Sequence, residues 1–460
     1  MDEQRARIRD DLRGLIAGDF SFEPLDRAAY ARDASLYEID PLGAVAPRTE
    51  VDAANLVKYA AENRIPIHAR GAGTDPGGGS IGTGLVVDFS RHLRRMIAIE
   101  ADRVVAEPGI VLDHLNAELI PMGRRLELDP GDSDVSTLGG MIAVDAAGSR
   151  SLRHGSTGDH VESLLAVCSD GEIREFGFEP WPAYDDDRAD FISVLVRKLH
   201  NLYRRNLQRS TPGGSGPPRN RAGYALARAC SERGVDLARL ITGSEGTLAL
   251  VVRATMRTQP IPASQQVVLL QFARLIDAAA VVGRCLKPEY APSACDIFDW
   301  RSISLAREAD HQLHQSIRDS AESILVVEFE GDDPDEVTGR ARSLCHRMAR
   351  SAALLTDPII WHRRADRDRL MGLRGLIEPG LMRNKTGARP VSFIDDLSVP
   401  VEALADVILR LQGILTRHEV NWTLDAWAGE GRLRLRPFLD LARADDLAKL
   451  EPLASDVCEV

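Results

Sequence analysis

Three glycine-centred segments hold the residues of this chain that are best suited to bind a ligand. They are Arg70-Gly71-Ala72-Gly73-Thr74, Ser136-Thr137-Leu138-Gly139-Gly140 and Gly243-Ser244-Glu245-Gly246-Thr247-Leu248. Glycine allows positive φ and lets another molecule come close to the backbone, and turns with exposed N–H groups bind anions. We expect that, if the fold brings the three segments together, their amides hold one long phosphorylated cofactor.

A second group of candidates lies late in the chain. Arg432, Arg434 and Arg436 alternate, so on a strand they share one face. That face could bind an anion, since guanidinium groups pair well with carboxylates; a solvated strand face or a partner contact remains the alternative. Further acids and histidines could lie near a site, although structural ion pairs and structural histidines explain them better: Asp395, Asp396, Glu328, Glu330, His154, His160 and His362.

The elements around these residues indicate two kinds of domain. In the first part, Thr49 is a plausible N-cap of a helix, and Asp170-Gly171 predicts a hairpin of 163–167 with 172–176. The sequence also predicts strands at 65–69, 85–89, 96–99 and 104–106, and helices at 111–119 and 189–208. An acidic stretch lies at 185–187, and a loop is predicted at 211–218. After residue 260 it predicts strands at 266–272, 324–329, 391–394, 422–424 and 433–435, and helices at 276–286, 334–348, 364–384 and 401–417. Strands interspersed with helices favour an α+β fold with an antiparallel sheet.

Composition excludes several classes of function. The 460 residues carry a net charge of −12, which argues against nucleic acid as a partner. No apolar run is long enough for a membrane span, and no secretory signal is recognised at the N-terminus. The six cysteines are scattered, so the sequence predicts no zinc or iron–sulfur site of its own and a reducing, cytoplasmic location.

Five longer segments strengthen the pattern of the glycine segments: Leu85 to Arg91, Gly148 to Gly155, Asp159 to Leu164, Val327 to Pro334 and Arg436 to Leu441. With the glycine segments, they resemble FAD-linked oxidases and dehydrogenases of the vanillyl-alcohol-oxidase (p-cresol methylhydroxylase, PCMH) fold. The D-lactate and D-2-hydroxyglutarate dehydrogenases are the most similar, above all the bacterial branch fused to iron–sulfur domains.

The resemblance implies an α+β architecture, in which a two-subdomain PCMH-type FAD-binding domain precedes an α+β cap domain with an antiparallel sheet. We expect a helical N-terminal segment at 1–35, the FAD-binding domain at 36–260 and the cap domain at 261–460, C-terminally incomplete relative to the family. By resemblance, the cofactor-binding residues are Arg70, Gly71, Ala72, Gly73, Thr74, Ser136, Thr137, Leu138, Gly139, Gly140, Ala147, Gly148, Glu245, Gly246 and Leu248. We expect non-covalent FAD, because residues 70–80 contain no histidine or cysteine.

The chain also departs from the family. Asp75 follows the first loop, where its charge would repel a diphosphate unless it points away, and Val144-Asp145 replaces paired asparagines near the flavin. Trp427 and Arg434 stand where the family has two metal-binding histidines. Neither side chain is a usual metal ligand, so we expect no metal, and the family's third ligand segment does not follow before residue 460.

Two functional hypotheses remain open. The first is an FAD-dependent oxidoreductase that passes a hydride from a D-2-hydroxy acid to the flavin, with Arg374 and Arg434 on the substrate side; by resemblance, Arg374 clamps a carboxylate. Its partners would be a small 2-hydroxy acid and an electron acceptor or iron–sulfur protein. The second is a degenerate or truncated FAD-binding module without metal-assisted dehydrogenase activity.

Overall fold

The computed structural model describes residues 3–183, 188–206, 223–383 and 387–460. The predicted acidic stretch at 185–187 and the predicted loop at 211–218 lie outside these residues. The chain divides into two compact units. The first consists of the described parts of 1–147, 155–215 and 221–261, and the second of the described parts of 148–154 and 262–460.

One sheet of the first unit carries the strand that leads into the first glycine segment. Its order is β1-β2-β4-β3, with β1 at Asp19–Ser21, β2 at Gly43–Ala46, β3 at Ile67–Arg70 and β4 at Leu85–Asp88. Strands β2 and β3 both run parallel to β4. Helix α3 (Glu50–Glu62) connects β2 to β3, and the predicted N-cap Thr49 accepts a hydrogen bond from the Asp52 amide at 3.0 Å.

A second sheet of the first unit is antiparallel and contains the strands that come after the other two glycine segments in the chain. Its order is β5-β6-β12-β8-β9, with β5 at Met96–Ile99, β6 at Arg103–Ala106, β8 at Val161–Val167, β9 at Ile173–Phe176 and β12 at Leu250–Arg257. The predicted hairpin around Asp170-Gly171 is confirmed, because β8 pairs with β9 and Gly171 has φ 81°. Helix α5 (Leu138–Val144) begins inside the second glycine segment.

Short elements complete the first unit. Its remaining helices are α1 (Glu3–Arg13), α2 (Pro24–Tyr30), α4 (Leu112–Leu119), α7 (Thr157–His160), α8 (Phe191–Arg205), α9 (Leu226–Ala229) and α10 (Leu237–Ile241). Its remaining strand pairs are β7 (Arg124–Arg125) with β13 (Gln259–Pro260), and β10 (Phe178–Pro180) with β11 (Gly234–Asp236). Buried aliphatic residues from both sheets form its cores.

An antiparallel sheet forms the centre of the second unit. Its order is β17-β14-β16-β15-β20-β21-β18, and β19 also pairs with β21. The strands are β14 (Ser264–Phe272), β15 (Ala294–Asp299), β16 (Ser323–Gly331), β17 (Ile359–Trp361), β18 (Arg389–Pro390), β19 (Leu397–Ser398), β20 (Trp422–Trp427) and β21 (Arg432–Leu439).

Helices of the second unit pack around this sheet. They are α6 (Ser151–His154), α11 (Leu275–Cys285), α12 (Trp300–Ala309), α13 (His311–Ser316), α14 (Pro334–Ser351), α15 (Arg364–Met371), α16 (Leu373–Met382), α17 (Leu404–Arg417), α18 (Ala444–Leu447) and α19 (Leu450–Cys458). The predicted α+β class with an antiparallel sheet is confirmed. No helix in the described part of the chain has both the length and the apolar character that a bilayer crossing requires.

The sequence-based assignment of elements was wrong in three respects. The strand predicted at 391–394 is a loop; Val391 and Ile394 are apolar because they are buried there, not because they alternate in a strand. Strands β12 and β15 were missed, although both are central strands of their sheets. The helix predicted at 364–384 is two helices that meet at Gly372.

Candidate functional site

The first glycine segment forms a loop at the end of β3 that is anchored from outside. The Gly73 carbonyl accepts a hydrogen bond from the Ala34 amide at 2.9 Å, and Arg70 donates to the Arg32 carbonyl at 2.8 Å. Gly73 has φ 73°, and a Cβ there would clash with the Arg70 guanidinium. Within the described residues, the amides of 71–74 donate no hydrogen bond to the protein. These amides therefore fit an anionic group of a ligand.

The second glycine segment packs directly against the first. The Thr137 side chain caps α5 by accepting a hydrogen bond from the Gly140 amide at 3.4 Å, and a Cβ on Gly71 would clash with the Thr137 hydroxyl. Glycine at position 71 is thus what lets the two segments touch. Leu138 points the other way and is fully buried in the apolar core.

The third glycine segment is hydrogen-bonded to the end of α5. The Gly243 and Glu245 amides donate to the carbonyls of Ile142 and Ala143, each at 2.9 Å. Glu245 adopts the left-handed conformation with φ 53°, as does Gly246 with φ 74°. These bonds fix the third segment beside the second.

Parts of all three segments line one cleft within the first unit. The predicted residues that line it are Arg70, Gly71, Thr137, Gly139, Gly140 and Gly246. The sequence analysis did not single out its apolar walls, which are Phe89, Pro108, Ile142, Ala143, Ile241, Ala249, Leu250 and Val251. The sequence feature that could have identified these residues is their position at the ends of the apolar runs next to the glycine segments. Apolar walls next to the backbone donors of the first segment suit a ligand that carries both an apolar ring and an anionic group.

Other predicted cofactor residues lie outside the lining of this cleft. Within the first unit they are Ala72, Gly73, Thr74, Ser136, Leu138, Ala147, Glu245 and Leu248. Gly148 belongs to the second unit, where its carbonyl accepts a hydrogen bond from the Ser151 hydroxyl at 2.5 Å. Direct contact of each of these residues with a cofactor stays a prediction.

The two departures near the glycine segments have structural explanations. Asp75 accepts hydrogen bonds from the amides of Gly77 and Gly79 at 3.0 and 3.1 Å, so its carboxylate is bound by the backbone of the turn that it begins. Asp145 has φ 48° and accepts a hydrogen bond from the Gly158 amide at 2.8 Å while it pairs with Arg228 at 3.0 Å. Asp145 therefore supports the turn after α5.

The candidate arginines of the second unit lie on one face of the β20–β21 pair. The register places Asp425 opposite Arg434 and Trp427 opposite Arg432. The guanidinium carbons of Arg374, Arg432 and Arg434 lie 4.6, 4.6 and 5.5 Å from the centre of the Trp427 ring. The predicted shared face is thus built around an indole ring.

Helix α16 supplies Arg374 and Glu378, which join this face through ion pairs. Arg374 is 5% exposed and donates to Asp425 at 3.0 Å, to Asp296 and Ser149 at 2.8 Å each, and to the Ala426 carbonyl at 3.3 Å. The predicted carboxylate clamp is therefore largely occupied by groups of the protein itself.

Glu378 and Asp425 connect the remaining arginines of the face. Glu378 accepts from Arg434 at 2.7 Å and from Arg436 at 2.7 and 2.8 Å, while Asp425 accepts from Arg436 at 3.0 Å. We call Arg374, Arg434, Arg436, Asp296, Asp425 and Glu378 the arginine network. Its three guanidinium groups and three carboxylates balance in formal charge.

Electrostatics keep the network ionised. Burial would raise the pKa of Asp425, but Arg434, Arg374 and Arg436 outweigh burial and lower the pKa to about 2. The pKa of Glu378 is likewise lowered by Arg436 and Arg434 against the effect of burial. Burial dominates at Asp395 and raises the pKa of that carboxyl.

A divalent metal does not fit this face. The indole of Trp427 and the guanidinium of Arg434 offer no lone pair to a cation, and both stand where the resemblance places histidines. The adjacent carboxylates of Asp425 and Glu378 are engaged by three arginines. A cation would have to displace guanidinium groups to reach an oxygen ligand.

The other candidate acids and histidines of the second unit have partners within it. Glu328 accepts from Arg150 at 2.8 and 2.9 Å, His154 contacts Glu330, His362 contacts Gln266 at 2.6 Å, and Arg432 donates to Asp396 at 3.1 Å. His160, in the first unit, is buried and also has a partner. These contacts agree with the structural interpretation that the sequence favoured.

Comparison with known proteins gives matches to both units. Residues 41–177 match the family described as FAD binding domain, and residues 261–460 match the C-terminal domain of FAD linked oxidases. D-2-hydroxyglutarate dehydrogenase of Escherichia coli is 30% identical over 96% of this chain. The alignment covers 45% of that relative, so the chain spans about half its length. D-lactate dehydrogenase of Archaeoglobus fulgidus is 25% identical over 86% of this chain and 75% of its own length.

Solved structures share the fold at low sequence identity. Alkyldihydroxyacetonephosphate synthase superposes with a TM-score of 0.67 at 16% identity, covering 100% of this chain and 84% of its own. The 4-ethylphenol oxidase from Gulosibacter chungangensis gives a TM-score of 0.67 at 13% identity, covering 100% and 87%. The two family matches and the dehydrogenase relatives show that the chain belongs to the FAD-linked oxidases, with a PCMH-type FAD-binding domain, the C-terminal domain of that family, and FAD as its cofactor.

Proposed function

We propose that this chain is the flavin-binding and substrate-binding part of an oxidoreductase that oxidises a small D-2-hydroxy acid. The observation that carries the proposal is the cleft in which all three glycine segments meet. Relatives that act on D-2-hydroxyglutarate and D-lactate support the substrate class. The FAD, when bound, would accept the hydride from the α-carbon of the substrate, and a base would take the proton of the hydroxyl group.

The residues of the chain would have separate tasks in this reaction. The amides of 71–74 would hold the diphosphate, and the apolar walls of the cleft would keep water away from the ring system. Arg434, on the strand face of the second unit, would attract the substrate carboxylate. Arg374 would position that face through Asp425 and Asp296. Electrons would leave to a separate acceptor or an iron–sulfur partner, and we place the protein in the cytoplasm.

One observation favours the second candidate, an FAD-binding module without dehydrogenase activity. Arg374, the residue expected to clamp a carboxylate, already donates to four groups of the protein. A module of this kind would bind FAD and leave hydroxy acids untouched.

Anaerobic flavin reduction distinguishes the two. We expect the flavin absorbance of the FAD-loaded protein to bleach with D-2-hydroxyglutarate or D-lactate, and to persist with the L-enantiomers. An Arg434→Gln variant should slow the bleaching at limiting substrate, whereas Arg410→Gln, an exposed change on α17, should not. An unbleached flavin with every hydroxy acid tested would leave only the module, and a protein that does not take up FAD would refute both candidates.

A further inference from the structure

Three buried donors on the strand face lack an acceptor among the described residues, namely Trp427 Nε1, Arg432 Nη1 and Arg436 Nε, and the first two belong to residues that pair across the strands. Trp427 is 7% exposed, and neither its Nε1 nor the buried Nη1 of Arg432 has a hydrogen-bond partner in the described part of the chain. A buried N–H without an acceptor is costly and uncommon. Two of them on neighbouring residues indicate an acceptor other than the described residues of the chain.

The two donors are neighbours across the strand pair. Trp427 and Arg432 lie opposite each other in the β20–β21 register, and the Arg432 guanidinium carbon lies 4.6 Å from the centre of the indole. Stacking fixes both planar groups relative to each other. The pair is thus preorganised, as a recognition site requires.

The donors around the pair suit an anion, although the carboxylates of the arginine network offset the charges of Arg434 and Arg374. Arg434 and Arg374 also lie within 5.5 Å of the indole centre. The carboxylate that pairs with Arg432 belongs to Asp396, whose side chain is 70% exposed. Ion pairs with so exposed a partner contribute little, so another carboxylate can replace Asp396 at small cost. A carboxylate would also receive charge-assisted hydrogen bonds, which are the strong ones.

We propose that Trp427 Nε1 and Arg432 Nη1 form a carboxylate-binding site that takes the place of a metal centre on this face. The ligand class is a small mono- or dicarboxylate, bound without a divalent cation. That this carboxylate belongs to the hydroxy acid being oxidised rests on the proposed function. The binding itself does not.

Calorimetry on the FAD-loaded protein, dialysed against EDTA, tests the site. Glutarate is the probe, because it has no hydroxyl group and cannot reduce the flavin. We expect saturable binding without added metal, and about tenfold or greater weakening in W427F, which keeps an aromatic ring at this position but loses the N–H. R432Q should weaken binding at least as much, whereas R410Q should match the parent.

Several results would overturn the site. They are no binding by the parent without metal, binding that appears only after Mn²⁺ or Zn²⁺ is added, and equal affinity in the parent and both site variants. FAD content and the melting temperature verify that each variant is folded. If W427F does not fold, the glutarate affinity of R432Q alone decides whether the site exists. Metal-free glutarate binding that both substitutions weaken would establish the site even if no hydroxy acid bleaches the flavin, which would then count against the proposed function alone.

Discussion

Replacing Asp425 with asparagine tests whether the arginine network stabilises the second unit. Asp425 is 3% exposed and accepts hydrogen bonds from Arg374 and Arg436 at 3.0 Å each, with Arg434 at 3.7 Å. Asparagine has nearly the same shape, so the change removes the negative charge and leaves the packing in place. The three guanidinium groups would then face one another with one counter-charge fewer.

The pKa of Asp425 gives the scale of the effect. A pKa lowered from 3.8 to about 2 corresponds to roughly 2 kcal/mol of stability that the ionised carboxylate contributes at neutral pH. Removing one partner of a buried ion pair also leaves the other charges uncompensated, which brings the expected loss to about 3–5 kcal/mol. Because the folded-state pKa lies below the ordinary value, the contribution is complete above pH 3.8 and is lost as the pH falls towards about 2.

Urea unfolding followed by tryptophan fluorescence measures this loss. Four of the five tryptophans, Trp300, Trp361, Trp422 and Trp427, lie in the second unit, so the signal reports mainly on it. The matched control is Asp406→Asn on α17, where an exposed carboxylate pairs with Arg410 at 2.9 Å and we expect a change within about 0.5 kcal/mol. If D425N unfolds at the same urea concentration as D406N, the network does not stabilise the unit and the reasoning fails.

Three further predictions concern the first unit. Gly73→Ala should weaken FAD binding because the new Cβ would clash with the Arg70 guanidinium. Gly123→Ala is the control, because Gly123 has nearly the same φ (72° against 73°) and open space around it, and it should bind FAD normally. An equal loss of FAD affinity in both variants, measured by titration, would contradict this account of the loop. Burial lowers the pKa of His68 below 6.5, so the contribution of His68 to stability is present above that pH and is lost as the pH falls. His68→Gln should therefore make the melting temperature less dependent on pH. A parent protein whose melting temperature does not change with pH would refute this reasoning. Thr49→Ala removes the cap of α3 and should cost about 1 kcal/mol in urea unfolding; an unchanged midpoint would show that the cap is redundant.

The turns on the flavin side were predictable because their determinants are local, whereas contact of each predicted residue with FAD stays a prediction. A glycine at positive φ after a strand, such as Gly73, encodes its own turn, and Thr49 or Asp170-Gly171 specify a cap and a hairpin within a few residues. The cleft walls were harder to find, since Pro108 and Ile241 gain their role only when distant segments meet. The α+β class followed from the interspersed strands and helices.

The substrate side was less predictable because its interactions join residues far apart in sequence. Alternation placed Arg432, Arg434 and Arg436 on one face, but nothing in the spacing shows that Glu378 pairs with two of them. The resemblance assigned Arg374 to a substrate carboxylate, yet its N–H groups donate to Asp296 and to other groups of the protein. Partners of this kind are fixed by tertiary packing, which a single sequence does not display.

The strand face combines two roles that substitutions should separate. Asp425 neutralises deeply buried guanidinium groups, so its loss should appear mainly as a loss of stability. Trp427 Nε1 and Arg432 Nη1 have no acceptor among the described residues, so removing either donor should weaken carboxylate binding more than it destabilises the second unit. A variant pair in which D425N melts early but W427F does not, while W427F alone binds glutarate weakly, would show that the network supports the site without being the site. Identical effects of both changes on melting and binding would instead mean that the face is a single structural unit and that carboxylate binding depends on folding alone.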